Sequence, residues 1–101
     1  MTVYFISRHA GALDWAKEQN IHFDIHLTHL DNLDGLNPND IIIGTLPINM
    51  VADLNMRQIR YVHLSLRIPA KLRGIELNAE QLRLCQIQLQ EFSVNVKPFL
   101  E

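Results

Sequence analysis

The sequence predicts a single α/β domain, residues 1–101, in which helices cover both faces of a mostly parallel sheet of about five strands. Short apolar runs alternate along the chain with helical stretches, which is the pattern of strand–helix–strand units. The β-branched run Ile41–Ile43 has no polar residue within it, as is typical of a central parallel strand covered on both faces. A chain of 101 residues has the size of one domain.

The first half of the chain contains three of the predicted strands. Residues 3–6 form a short apolar strand, and a loop separates it from a helix over about 12–19. Residues 22–28 alternate polar and apolar side chains, which predicts a strand near the edge of the sheet. A loop rich in turn-forming residues spans 31–40 and leads into the central strand 41–43.

After the central strand, the sequence predicts a helix that runs to about Asn55, with Pro47 in its first turn, where proline is favoured. Residues 59–66 form the fourth predicted strand, and a loop over 67–75 follows it. Asn78 and Gln81 have the spacing of a capping box and begin the longest predicted helix.

That last helix is predicted from an apolar stripe at the spacing i, i+3, i+7 and i+10. The stripe consists of Leu82, Cys85, Leu89 and Phe92. Val94 and Val96 follow as a last short strand at a sheet edge. We expect Cys85 and Trp15 to be core residues, since each lies on the apolar side of a helix.

Charge is distributed unevenly along the chain. The net charge is −2, but residues 1–56 carry two basic and seven acidic side chains, whereas residues 57–101 carry seven basic and four acidic ones. Five basic residues occur between 57 and 73 with no acidic residue among them. Such a cluster indicates either an anionic partner or a solvated face.

Loops that leave the strands are the expected place for a ligand, because open parallel sheets bind ligands beyond the carboxyl ends of their strands. Three of these loops carry hydroxyls, amides, glycines or positive charge and hardly any carboxylates, which predicts a phosphate-binding rim. The candidate residues are Ser7, Arg8, His9, Gly11, Gly44, Thr45, Leu46, Asn49, Arg67, Lys71 and Arg73.

The histidines do not predict a metal site. His22 and His26 would lie about 13 Å apart in a strand that rises roughly 3.3 Å per residue, too far apart to share one ion. We interpret both, with His29, as solvated strand histidines. Arg8 and His9 also allow a histidine phosphatase, but glycine comes one place late for its Arg-His-Gly motif.

Three stretches carry a resemblance to a known family. They are Tyr4–Ala16, Gly44–Pro47, and Tyr61–Leu66 leading through Pro69 to Leu72–Leu77. Over nearly the whole chain, the sequence resembles a small family of CRISPR-associated proteins encoded near type III systems and related to the Rossmann-like domains that bind cyclic oligoadenylates. This chain has Ala10 where such families commonly have proline, a difference expected to alter loop stiffness.

The resemblance implies a Rossmann-like fold and a ring nuclease, a homodimer that cleaves cyclic tetra-adenylate without a metal or other cofactor. In that mechanism the 2′-hydroxyl of the ligand attacks the adjacent phosphorus. Arg8, His9 and Ser7 would then be catalytic, and the other rim residues would bind the ligand. A module that binds the cyclic nucleotide without cutting it is the alternative.

Other partners and compartments are less favoured by the sequence. The longest apolar runs have only a few residues, far fewer than the roughly 20 that cross a bilayer. The N-terminal residues have no basic leader, and there is one cysteine, so we expect a cytoplasmic protein. Neither a membrane nor DNA is an expected partner.

Overall fold

Five strands form one sheet in the computed structural model, which describes residues 1–100. In chain order they are β1 (Val3–Ile6), β2 (Ile25–Leu27), β3 (Ile41–Gly44), β4 (Arg60–Ser65) and β5 (Gln88–Phe92). Their order across the sheet is β2-β1-β3-β4-β5. The first four strands are parallel to one another, and β5 runs antiparallel to β4. The prediction of a mostly parallel, five-stranded sheet is confirmed.

Three α-helices cover this sheet: α1 (Ala10–Glu18), α2 (Ile48–Met56) and α3 (Ala79–Leu84). A short 3₁₀ turn spans Ala70–Leu72 in the connection between β4 and α3. Side chains of α1 and α3 share one apolar core with the sheet, and side chains of α2 share another. The predicted three-layer, Rossmann-like arrangement is therefore confirmed. Within residues 1–100, no helix has the length and apolar character needed to span a bilayer.

Alternation along the strands decides which core each side chain enters. On β1, Phe5 is fully buried against the α1 and α3 side, whereas Ile6 is buried on the α2 side. Trp15 and Cys85 are both buried with Phe5, as predicted. Burying one side chain of the size of Phe5 stabilises the fold by about 1.5–3 kcal/mol.

The third helix differs from its prediction, because α3 has only six residues and is the shortest of the three. Its capping box is confirmed: the Asn78 side chain accepts from the N–H of Gln81, and the Gln81 side chain accepts from the N–H of Asn78. The helix ends at Cys85, and Gln86 then takes a left-handed conformation with φ of 52°. The stretch predicted to continue the helix is strand β5 instead.

The apolar stripe failed as a helix signal because two of its members are on a strand. Leu89 lies in β5 and packs against the same core as Leu82 and Cys85. The spacing therefore arises because these residues are buried in one core, although they do not lie on one helix. Pairing with β4 satisfies the backbone groups of this segment. The predicted strand at Val94 and Val96 is also wrong. The N–H of Val94 instead donates to Oδ1 of Asn55 at 2.7 Å.

Strand β2 lies at the edge of the sheet, as predicted, but it has only three residues. Just before it, the carboxylate of Asp24 accepts a hydrogen bond from the N–H of Val3 at 2.8 Å. The N–H of Asp24 in turn donates to the carbonyl oxygen of Val3 at 2.8 Å. Residues 22–24 and residue 28 of the predicted strand lie outside β2.

Candidate functional site

A cleft of about 610 Å³ opens at the carboxyl ends of β1 and β3. These two neighbouring strands connect in opposite directions, β1 through α1 to β2 and β3 through α2 to β4. Open α/β sheets bind ligands where the strand order reverses in this way. The cleft is lined by loops after β1, β2, β3 and β4: Ile6–His9, Thr28–Asp31, Thr45–Pro47 with Met50, and Leu64, Leu66 and Ile68.

The loop after β1 forms the first wall of the cleft and is held by backbone contacts. The N–H of Ser7 donates to the carbonyl oxygen of Leu27 at 3.0 Å, which extends the pairing with β2 beyond the strand. Nε2 of His26 donates to the carbonyl oxygen of Ser7 at 3.0 Å. The N–H of His9 donates to Oγ of Ser7 at 3.1 Å, forming a local turn. These contacts position Arg8 and His9 at the start of α1.

His9 lies between this cleft and a smaller one of about 370 Å³, because it lines both. Its Nδ1 accepts a hydrogen bond from the backbone N–H of Leu77 at 3.3 Å. A backbone N–H can only donate, so Nδ1 carries no proton and the neutral imidazole carries its proton on Nε2. His9 therefore offers a hydrogen-bond donor to a bound ligand.

Arg8 also lines both clefts, and its side chain is exposed. Within residues 1–100, no carboxylate forms an ion pair with it. Its positive charge is available to an anionic ligand. Two carboxylates do lie nearby, contrary to the expectation that the rim would hold hardly any: Asp31 lines the larger cleft and Glu76 the smaller one. Oε1 of Glu76 accepts from the N–H of Ala10 at 3.4 Å, at the start of α1.

The loop after β3 forms the opposite wall and is fixed by Tyr61. The hydroxyl of Tyr61 accepts from the N–H of Leu46 at 2.9 Å and donates to the carbonyl oxygen of Gly44 at 3.0 Å. Nδ1 of His63 lies 2.7 Å from the same hydroxyl. Burial raises the pKa of Tyr61, so its hydroxyl keeps the proton that this network uses. Oγ1 of Thr45 donates to the carbonyl oxygen of Leu64 at 3.3 Å.

Sequence reasoning did not select Tyr61, because it gave this residue no role beyond its place in the fourth strand and in the stretch that carries the family resemblance. The one available signal was chemical: a buried tyrosine hydroxyl needs a hydrogen-bond partner. Gly44 ends the neighbouring parallel strand β3 and Leu46 follows it, and the register of β3 against β4 is decided by the tertiary fold.

The loop after β2 supplies a third wall, which sequence reasoning also missed. Nε2 of His29 lies 3.2 Å from Oδ2 of Asp31, and Oγ1 of Thr28 lies 3.0 Å from Nδ1 of the same histidine. All three residues line the larger cleft. His29 was interpreted as a solvated strand histidine, but it lies beyond the end of β2.

Five of the predicted site residues line the larger cleft: Ser7, Arg8, His9, Thr45 and Leu46. The remaining six line neither this cleft nor the smaller one. Four of them, Asn49, Arg67, Lys71 and Arg73, are exposed elsewhere on the surface. The guanidinium of Arg73 donates from Nε to the carbonyl oxygen of Ile68 at 3.3 Å, within its own loop.

The two predicted glycines, Gly11 and Gly44, are buried in close backbone contacts. A Cβ added to Gly11 would lie 2.2 Å from the carbonyl oxygen of Leu77, and one added to Gly44 would lie 2.9 Å from that of Ile6. Side chains at these positions would collide with backbone. Both glycines therefore let segments that border the clefts pack closely.

The histidines considered as metal ligands have separate partners. His22 pairs with Asp24 at 3.0 Å, His26 donates to Ser7, and His29 pairs with Asp31. In the part of the chain that the structure describes, no three His, Cys, Asp or Glu side chains are grouped so that they could hold a metal ion.

The comparisons with known proteins give one match. The model of a family described as "Putative CRISPR-associated protein (Cas_VVA1548)" matches residues 4–95. The match includes all five strands, except Val3 at the start of β1, and every segment that lines the larger cleft. No curated protein and no solved structure matches the chain. Because the family match extends over nearly the whole sequence, the chain belongs to the Cas_VVA1548 family of CRISPR-associated proteins.

Proposed function

We propose that this protein is a metal-independent ring nuclease that cleaves cyclic tetra-adenylate and so switches off type III CRISPR signalling. Membership of a CRISPR-associated family supports the biological setting. The observation that carries the chemistry is the cleft at the strand-order reversal, where Arg8 and His9 line the same space as Thr45 and Leu46 and the neutral His9 has its proton on Nε2. Positive charge and hydrogen-bond donors at such a position suit a phosphate-containing ligand.

The reaction depends on positioning, on charge and on proton transfer from the attacking hydroxyl. The 2′-oxygen of the ligand forms a bond to the adjacent phosphorus, and the bond from phosphorus to the 5′-oxygen breaks, leaving a 2′,3′-cyclic phosphate and a 5′-hydroxyl. Negative charge develops on the phosphoryl oxygens. Arg8 would stabilise this charge, and the Nε2–H of His9 would donate to one of these oxygens. The fixed loops on either side would hold the attacking and leaving oxygens in line.

A homodimer fits this substrate. Cyclic tetra-adenylate has two-fold symmetry, and the commonest soluble homo-oligomer is a two-fold dimer. Each subunit would contribute one cleft to half of the ring, so that one bound ring spans the interface.

The direct test is incubation of purified, chelator-treated protein with radiolabelled cyclic tetra-adenylate. We expect linear products ending in a 2′,3′-cyclic phosphate. Arg8→Ala should slow single-turnover cleavage at least about tenfold, which is about 1.4 kcal/mol of transition-state stabilisation. Arg57→Ala is the matched control, because Arg57 is exposed at the end of α2 that lies away from the cleft. A ring that stays intact after many equivalents would exclude the nuclease.

A module that binds the ring without cutting it is the second candidate. The contact from Leu77 to His9 favours it, because that contact leaves His9 as a donor with no basic nitrogen facing the ligand. The same contact argues against a histidine phosphatase, whose histidine must attack phosphorus with an unprotonated nitrogen. Tight binding of intact ring, seen as a mobility shift with no product, would support the binding module. Absence of both binding and cleavage would exclude both candidates.

A further inference from the structure

Cleavage by the ligand's own 2′-hydroxyl needs a group that takes the hydroxyl proton, and the loop after β1 has none. Nδ1 of His9 is occupied by the N–H of Leu77, and its Nε2 already carries a proton. Oγ of Ser7 accepts from the N–H of His9. Arg8 has only donors and stays protonated. The base, if the cleft contains one, must come from another wall.

The loop after β2 has the required arrangement. Nε2 of His29 lies 3.2 Å from the carboxylate oxygen Oδ2 of Asp31, and an ionised carboxylate can only accept a hydrogen bond. In the neutral imidazole, Nε2 therefore carries the proton, and Nδ1 is the unprotonated nitrogen that can accept a hydrogen bond. Oγ1 of Thr28 lies 3.0 Å from this Nδ1, so a hydroxyl already donates to it. A hydroxyl, an imidazole and a carboxylate in this order form the arrangement by which enzymes activate hydroxyl groups.

His29 is also accessible to a ligand. Its side chain is 63% exposed, and it lines the same cleft as Arg8 and His9. The charged and titratable groups that line this cleft are Arg8, His9, His29 and Asp31.

We propose that His29 is the general base of this cleft and that Asp31 holds it in the active tautomer. This inference rests on the proposed ring nuclease function. In the free protein, Oγ1 of Thr28 holds the place on Nδ1 that the 2′-hydroxyl of the ligand takes in the complex. The proton of that hydroxyl passes to Nδ1 as the bond from O2′ to phosphorus forms. The bond from phosphorus to O5′ breaks, and O5′ takes a proton from water. The His29 imidazolium then gives its proton to the hydroxide that is left, which restores both the water and the neutral base.

The variants for the test are His29→Ala and Asp31→Asn, with His22→Ala as the matched control. His22 forms the same kind of pair with Asp24, at 3.0 Å, but lies before β2 and away from the cleft. Exposed pairs of this kind contribute little to stability, so the variants should fold. Single-turnover rates with radiolabelled cyclic tetra-adenylate are measured in chelator between about pH 5 and 8, where an imidazole changes charge.

We expect His29→Ala to lower the rate at least about 100-fold, which is the lower range for a general base. The wild-type rate should rise with pH over this range, and the rate of His29→Ala should not. The Kd for the ring should be nearly the same in both proteins. Free imidazole should restore part of the rate, because it can take the proton in place of the side chain. Asp31→Asn should slow the reaction less, and His22→Ala should cleave at close to the wild-type rate.

The outcomes separate this inference from the function on which it rests. If the wild type cleaves and His29→Ala cleaves equally fast with the same pH profile, the assignment of His29 is wrong and the nuclease stands. If His29→Ala loses affinity in place of rate, or if His22→Ala slows the reaction as much, His29 is not the base. If the wild type leaves the ring intact, both the nuclease and its base are rejected.

Discussion

The backbone N–H of Leu77 donates a hydrogen bond to Nδ1 of His9 at 3.3 Å, across a sequence separation of 68 residues. This contact ties the loop after β1 to the connection between β4 and α3. It also decides which nitrogen of His9 carries the proton. Under the proposed function, this contact makes His9 a donor to a phosphate oxygen and leaves the role of base to another residue.

Replacing His9 separates its two hydrogen bonds. His9→Asn keeps an acceptor near the position of Nδ1 but removes the Nε2–H donor, whereas His9→Ala removes both. We expect both variants to slow single-turnover cleavage at least about tenfold. Urea denaturation should show a lower free energy of unfolding for His9→Ala than for His9→Asn, because the N–H of Leu77 loses its partner only in the former. Equal stabilities would mean that the Leu77 contact contributes nothing to the fold.

Gly11→Ala should act through Leu77 and not through the ligand. The added Cβ would lie 2.2 Å from the carbonyl oxygen of Leu77, so the segment that contacts His9 must move. We expect a loss of about 1–3 kcal/mol in the free energy of unfolding, as for other overpacked sites, together with slower cleavage. Asp14→Ala, at an exposed position of the same helix, is the control. A Gly11→Ala variant that is as stable as the wild type would contradict this close packing.

Lys71 and Arg73 lie outside both clefts, so we expect them to attract an anionic ligand only from a distance. Lys71→Ala and Arg73→Ala should weaken binding of cyclic tetra-adenylate at low salt. The loss should fade above roughly 0.1 M salt, where charges about 10 Å apart are largely screened. Titrations at several salt concentrations test this, with Lys17→Ala on α1 as the control. A loss of affinity that is equal at all salt concentrations would place these side chains in direct contact with the ligand.

Tyr61→Phe should loosen the loop after β3. The variant removes the acceptor for the N–H of Leu46 and the donor to the carbonyl oxygen of Gly44. We expect the free energy of unfolding to fall by about 1–3 kcal/mol, since polar groups near the core lose their partners. Tyr4→Phe, on the same face of the sheet, should change it by less than about 0.5 kcal/mol. Similar losses in the free energy of unfolding of Tyr61→Phe and Tyr4→Phe would show that the hydrogen bonds of Tyr61 do not hold the loop.

Asp24 should make stability depend on pH in the acid range. The hydrogen bond from the N–H of Val3 lowers the pKa of this carboxyl below its ordinary value of 3.8, with a smaller contribution from His22. Its contribution is therefore fully present above that value and is lost as the pH falls through the lower, folded-state pKa. We expect Asp24→Asn to be less stable than the wild type near pH 7 and to approach it near pH 3.

Denaturation curves at the two pH values check this, with Asp53→Asn as the control for loss of one surface carboxylate. A difference between Asp24→Asn and the wild type that is the same at both pH values would contradict the prediction.

Much of the fold could be predicted, because alternation and apolar runs report which side chains are buried. The central strand Ile41–Ile43, the edge position of β2 and the capping box at Asn78 are all readable in this way. The stretch 85–92 could not be assigned, because Leu82, Cys85 and Leu89 enter one core from two different elements. Periodicity reports burial without reporting what a residue is buried against.

The candidate site, too, has parts that the sequence predicts and parts that only the folded structure shows. The sequence by itself determined that Ser7–His9 and Thr45–Leu46 follow strands of a mostly parallel sheet, and the carboxyl ends of such strands meet at one edge of the sheet. The structure shows that these two strands are neighbours. Only the tertiary structure decided that Gly11 packs against backbone, that Tyr61 holds the loop after β3, and that His9 is a donor. The physical reason is that a proton's position and a backbone contact depend on partners many residues away, which the chain brings together only when it folds.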